Sequence, residues 1–147
     1  MKTYSLCKLS IFTWQNGNRM VQQITEGVSI TVESFYQAAQ SNPLNSEYLF
    51  AYRITIENFS ASTIKLLSRH WHIIDSNGSR REVEGEGVVG LQPLIESGQS
   101  FQYVSSANLR TDIGKMYGSY KIENLITKKI ITVTIPEFHL LAPFKMN

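Results

Sequence analysis

A single cysteine, Cys7, leaves this chain without an internal disulfide framework and without a cysteine-built zinc site. No apolar run reaches the roughly 18 residues that a membrane-spanning helix requires. With one cysteine, a reducing cytoplasm is the expected compartment, and without a membrane segment the chain is expected to be neither pump nor channel itself. No segment sustains an apolar period near 3.6, which excludes an architecture of amphipathic helices. Catalytic patterns are missing too: there is no G-x-S-x-G nucleophile context, no acid dyad, and no histidine near Cys7 in sequence. An enzyme is not expected. Residues 1–19 hold Lys2, Lys8 and Arg19 and no acid, whereas residues 20–147 carry 11 basic and 12 acidic side chains. The pI near 8.7 thus belongs to the N-terminal segment. The body lacks the clustered Lys/Arg face of a nucleic-acid binder, and no nucleic-acid partner is expected.

What is present suits one folded domain. Hydrophobic residues make up 42% of 147 residues and charged residues 18%, too apolar for disorder. Lys8 interrupts the apolar run of the first 19 residues and no small-residue cleavage site follows, so they do not read as a signal peptide. They read as an N-terminal extension, a loose tail or a short extra strand, ahead of a single domain at 20–147. Met20 is an alternative start that intact mass would test.

Period-2 alternation dominates the domain. Residues 28–33 alternate cleanly. Phe50, Tyr52, Ile54 and Ile56 line one face of a strand, and Arg53, Thr55 and Glu57 the other. Residues 64–75 form a long β-rich run that turns at Ser76-Asn77-Gly78. A three-residue loop there pairs Trp71 with Val83, His72 with Glu82 and His70 with Glu84, which segregates apolar from charged faces. It also puts Gly78 where positive φ is needed. Residues 85–98 read as irregular. Phe101 and Tyr103, then Met116, Tyr120 and Ile122, then Ile131, Val133 and Ile135 mark further strands, with Pro136 opening a tail. Seven or eight short strands without helices predict an all-β fold, an antiparallel β-sandwich with Trp71 as core anchor.

Two patterns suggest chemistry. Gly85, Gly87 and Gly90 satisfy G-x-G-x-x-G, which cradles pyrophosphate only when a strand runs through it into a helix. A strand precedes it here, but Pro93 and Gly98 bracket a non-helical continuation, so a dinucleotide fold is excluded. An anion nest of loop N–H groups, with Arg69 or Arg81 as cation, stays open beside a purely structural role in a crossover between sheets. The second pattern is the ladder of His70 and His72 against Glu84 and Glu82. Imidazole with carboxylate suits cobalt or zinc rather than magnesium. The plainer reading is cross-strand polar pairing on a solvated face, about 0.2–1 kcal/mol per pair.

Several stretches carry a resemblance. FAYRITIEN at 50–58, LLSRHW at 66–71, DSNG at 75–78 and VEGEGVVGLQP at 83–93 resemble the bacterial ApaG family, as do Gly98, FQYVS at 101–105, GKMYGSY at 114–120 and IPEF at 135–138. The resemblance runs from about Val21 to Pro143. It implies a fibronectin type III-like sandwich and a cytoplasmic protein associated with cobalt resistance and magnesium efflux. Related domains in larger eukaryotic proteins, including an F-box protein, look like interaction modules. The family's glycine motif, suggested as a pyrophosphate loop, maps to Gly85, Gly87 and Gly90. His72 departs from the family's usual apolar residue. The expected function is a non-catalytic binding module linked to divalent-cation homeostasis through an unidentified protein partner. Alternatives are a nucleotide or pyrophosphate sensor at 85–90 and direct metal binding by the ladder. Edge strands permit a homodimer without requiring one.

Overall fold

The computed structural model describes Lys2–Thr3 and residues 20–143. Apart from Lys2–Thr3, the expectation for residues 1–19 falls outside the described residues. The strands are β1 (Lys2–Thr3), β2 (Met20–Thr25), β3 (Val28–Tyr36), β4 (Tyr48–Asn58), β5 (Ile64–Asp75), β6 (Arg80–Glu86), β7 (Leu94–Ile95), β8 (Ser100–Leu109), β9 (Ile113–Asn124) and β10 (Ile130–Leu141). One sheet has the order β1-β8-β4-β3-β2, and the other β10-β9-β5-β6 with β7 also paired to β5. All pairings are antiparallel except β1 with β8. The chain changes sheet between β4 and β5, between β7 and β8, and between β8 and β9. The result is the expected sandwich, fibronectin type III-like. The polar stretch 37–46 holds only two single 3₁₀ turns, Ala38–Gln40 and Pro43–Asn45.

The inner faces form one core. Ile30, Ile54 and Ile56 meet Leu66, Ile122 and Ile135 there. Trp71 is buried against Tyr52 at 5.4 Å and Phe138 at 5.9 Å between ring centroids, both edge-on, the geometry aromatic quadrupoles favour. Tyr103 of β8 and Tyr120 of β9 join their hydroxyls across the core at 2.5 Å. This buried polar link ties one sheet to the other through the core. Burial pushes both hydroxyls well above the ordinary tyrosine range, reinforced at Tyr103 by the charge of Tyr52 and at Tyr120 by that of Tyr103. Tyr52 is raised by burial as well, partly offset by its hydrogen bond to Ser105.

Two departures from the sequence reading share one cause. Pro136 does not open a tail: it lies inside β10, at a register shift between Ile135 and Phe138. A bulge residue needs no ladder N–H, so proline is tolerated there. A second shift, between Leu66 and Ser68 of β5, carries the strand from Ile64 and Leu66 inward to Trp71 and Ile73 inward. The segment 85–98 is also less irregular than expected, since it completes β6 and contains β7.

Candidate functional site

The β5–β6 hairpin has the expected register: His70 opposite Glu84, Trp71 opposite Val83 and His72 opposite Glu82. Gly78 closes the loop at φ +92°, and the Asp75 N–H donates to the Ser79 carbonyl at 2.9 Å. Because Trp71 faces the core, period 2 turns His70 and His72 to the outer face. There their ring centroids lie 4.5 Å apart, with the planes tilted by 37°. Tyr117 of β9 lies flat on His72 at 4.7 Å, with the planes 13° apart.

The carboxylates converge on these rings from β6. His70 Nδ1 is 3.2 Å from Glu84 Oε1, and His72 Nδ1 is 3.3 Å from Glu82 Oε1. His70 Nε2 is 3.5 Å from Glu82 Oε2, outside hydrogen-bonding geometry. It is the one buried side-chain nitrogen or oxygen among the described residues with no hydrogen-bond partner. The glutamate side chains are 64% and 70% exposed, while the histidines are about two-thirds covered. His70, His72 and Glu82 offer ligand atoms within 4.8 Å of one another.

The glycine segment is a different kind of structure. No helix follows it. Val88 and Leu91 exchange both backbone hydrogen bonds, at 2.8 and 2.9 Å, around Val89 at φ +45° and Gly90 at φ +78°. Positive φ at both central residues makes this a type I′ turn, with a β-branched residue in an unfavourable region. Gly87 sits at φ +61°, and a Cβ there would come within 2.0 Å of the Leu91 carbonyl oxygen. The N–H groups of Gly87, Val88 and Leu91 all donate inside the protein. Arg69 donates to the carbonyls of Glu86 and Gly87 at 3.0 and 2.8 Å, clamping the turn from β5.

The fold therefore gathers Gly85, Gly87, Gly90 and Arg69 but leaves Arg81 apart. Arg81 pairs with Ile73, four ladder positions from the Gly85–Arg69 pair, and donates to the Asn108 carbonyl. Three of the N–H groups an anion nest would need, and the Arg69 guanidinium, already have protein partners. A shallow depression of 470 Å³ joins His70 and Glu84 to Gly85, Glu86 and Arg69, so the two candidate features are neighbours.

Two features escape sequence reasoning. Tyr117 reaches His72 only through the β5–β9 register, which the β5 bulge shifts. A groove of 410 Å³ opens on the crossover after β6, lined by Leu91, Pro93, Leu94, Ile95 and Phe101 with Gln92, Glu96 and Gln99 at its polar margin. The spacing of Leu91 and Leu94 around Pro93 was its one sequence signal. Among the described residues no helix is long and apolar enough to cross a membrane.

Residues 38–124 match the ApaG domain. The chain belongs to the ApaG family. It is 42% identical over 124 residues to Protein ApaG of Brucella abortus, covering 84% of this chain and 95% of that one. Protein ApaG of Brucella anthropi is 44% identical over the same share of each. The crystal structure of the putative ApaA protein from Bordetella pertussis superposes with a TM-score of 0.76 at 38% identity, covering 79% of this chain and 94% of that one. The ApaG domain match contains the hairpin, the glycine turn and the groove.

Proposed function

We propose that this ApaG-family chain is a non-catalytic binding module that engages a protein partner and, through it, influences divalent-cation homeostasis. The groove on the crossover carries the reading. Leu91 and Leu94 stay 41% and 57% exposed on its wall, and its 410 Å³ suits one or two apolar anchor side chains of a partner. Phe59, 63% exposed, extends the apolar surface at the same end, since Asn58 beside it bonds the Ile95 carbonyl at 2.9 Å. Exposed apolar side chains gathered around a concavity are a common mark of a docking surface. The link to cobalt and magnesium rests on the family resemblance.

A photo-crosslinker at Leu94, in protein expressed in its own cell type, tests this. The reading expects a discrete crosslinked partner whose co-purification is lost with Leu94→Asp while thermal stability holds. Identical co-purifying proteins with Leu94→Asp would remove the groove as the contact surface.

A further inference from the structure

We propose that the outer face of the β5–β6 hairpin is a site for a first-row divalent transition cation, held by His70 Nε2, His72 Nδ1 and a Glu82 oxygen. Glu84 stands outside the coordination sphere and orients His70. This is independent of the groove and of any protein partner.

The lone pairs argue first. A neutral imidazole carries one N–H. With Glu84 Oε1 3.2 Å from His70 Nδ1, the proton belongs on Nδ1. Nε2 is then left with a bare lone pair, buried, unpartnered and facing the Glu82 carboxylate at 3.5 Å. Two electron-rich atoms so placed call for a cation between them. The Glu84–His70 pair has the form of the carboxylate–histidine–metal relay, in which the outer carboxylate fixes tautomer and ring direction.

Spacing argues second. Ligands held at about 2.1 Å from one ion lie about 3.4 Å apart in a tetrahedron. His72 Nδ1 lies 3.3 Å from Glu82 Oε1 and His70 Nε2 lies 3.5 Å from Glu82 Oε2, each near that edge length but measured to different oxygens of the one carboxylate. The full set spans up to 4.8 Å, somewhat beyond the roughly 4.2 Å that opposed ligands allow. A small swing of the exposed Glu82 side chain and the rings closes the difference. Tyr117 stacked on His72, with His70 packed at a tilt against His72, holds the imidazoles in place beforehand.

The donor set argues third. Two imidazoles and one carboxylate select cobalt, nickel or zinc over magnesium and calcium, which take oxygen ligands. Water fills the remaining positions on the open face. Ordinary cross-strand pairing explains the Glu82–His72 and Glu84–His70 contacts, but it leaves His70 Nε2 without a hydrogen bond.

The purified full chain titrated with cobalt(II) and followed by visible absorption tests the site. We expect a saturable 1:1 band, displaced by zinc(II) and unaffected by excess magnesium(II). His70→Ala and His72→Ala should each abolish it. Glu84→Gln should retain the band with about 10-fold weaker binding, because Glu84 orients the ligating imidazole without touching the ion. In the unaltered protein, NMR should show cobalt-induced broadening of the His70 and His72 side chains and not of His139. No band, a band surviving both alanine substitutions, or equal broadening of all three histidines would overturn the site. A band lost with Glu84→Gln would overturn the role given to Glu84.

Discussion

Tyr103→Phe and Tyr120→Phe should each destabilise the protein, and together they should cost little. Both rings are buried, and their hydroxyls bond each other at 2.5 Å across the two sheets. Either substitution keeps ring and shape but leaves the surviving hydroxyl in an apolar interior without its partner. That costs about 1–3 kcal/mol, whereas removing both partners of a buried pair is nearly neutral. A loss of about 2 kcal/mol lowers Tm by roughly 4–8 °C in a domain of this size. Each single variant should therefore fall by about that much, with the double variant within a few degrees of the parent. Calorimetry and urea unfolding of all four proteins give the coupling energy directly. A double variant that loses the sum of the two singles would refute the reasoning, because each hydroxyl would then have an independent partner.

The same burial predicts alkaline unfolding. Tyr52, Tyr103 and Tyr120 are raised above the ordinary range by burial. Their protonated forms therefore contribute full stability below about pH 10, where unfolded tyrosine ionises, and lose it as pH rises further. The slope should reach up to about 4 kcal/mol per pH unit for three such groups, and a tyrosinate titration completing for all seven tyrosines in the folded chain would contradict it. Trp71→Ala should cost about 3–5 kcal/mol by denaturant unfolding, since it empties the centre of the aromatic cluster; a loss under about 1 kcal/mol would mean the core closes without it. Gly87→Ala should destabilise more than Gly90→Ala. Both need positive φ, but only Gly87 would set a Cβ 2.0 Å from a backbone oxygen. Equal losses in thermal unfolding would count against the clash.

Much of the sandwich was readable because period 2 segregates faces. The β5–β6 register followed from that rule alone: only the loop through Ser76, Asn77 and Gly78 kept Trp71 with Val83 and the histidines with the glutamates. The bulges were readable in principle and were missed. Along β10 the inward residues are Val133 and Ile135, then Phe138 and Leu140, a change of phase. β5 changes phase in the same way. Pro136 obscured the first case by mimicking a strand end. The rejection of a dinucleotide loop stood on the residues after Gly90, whereas the I′ turn and the Arg69 clamp did not follow from spacing. They depend on three-dimensional carbonyl positions. Arg81 was paired with the loop because it is near in sequence, but the antiparallel register carries it away along β6. The stack of Tyr117 on His72 joins residues 45 apart through a bulged ladder, which no local pattern encodes.

The proposed cation site puts ligand chemistry on the outer face of the β5–β6 hairpin and leaves the glycine turn a structural role. Crystals soaked separately in cobalt(II) and in pyrophosphate, with anomalous data from the first, test it most directly. The account predicts one anomalous peak bounded by His70 Nε2, His72 Nδ1 and Glu82, and no pyrophosphate density at Gly85–Gly90. An anomalous map without that peak, or ordered pyrophosphate on the turn, would contradict it.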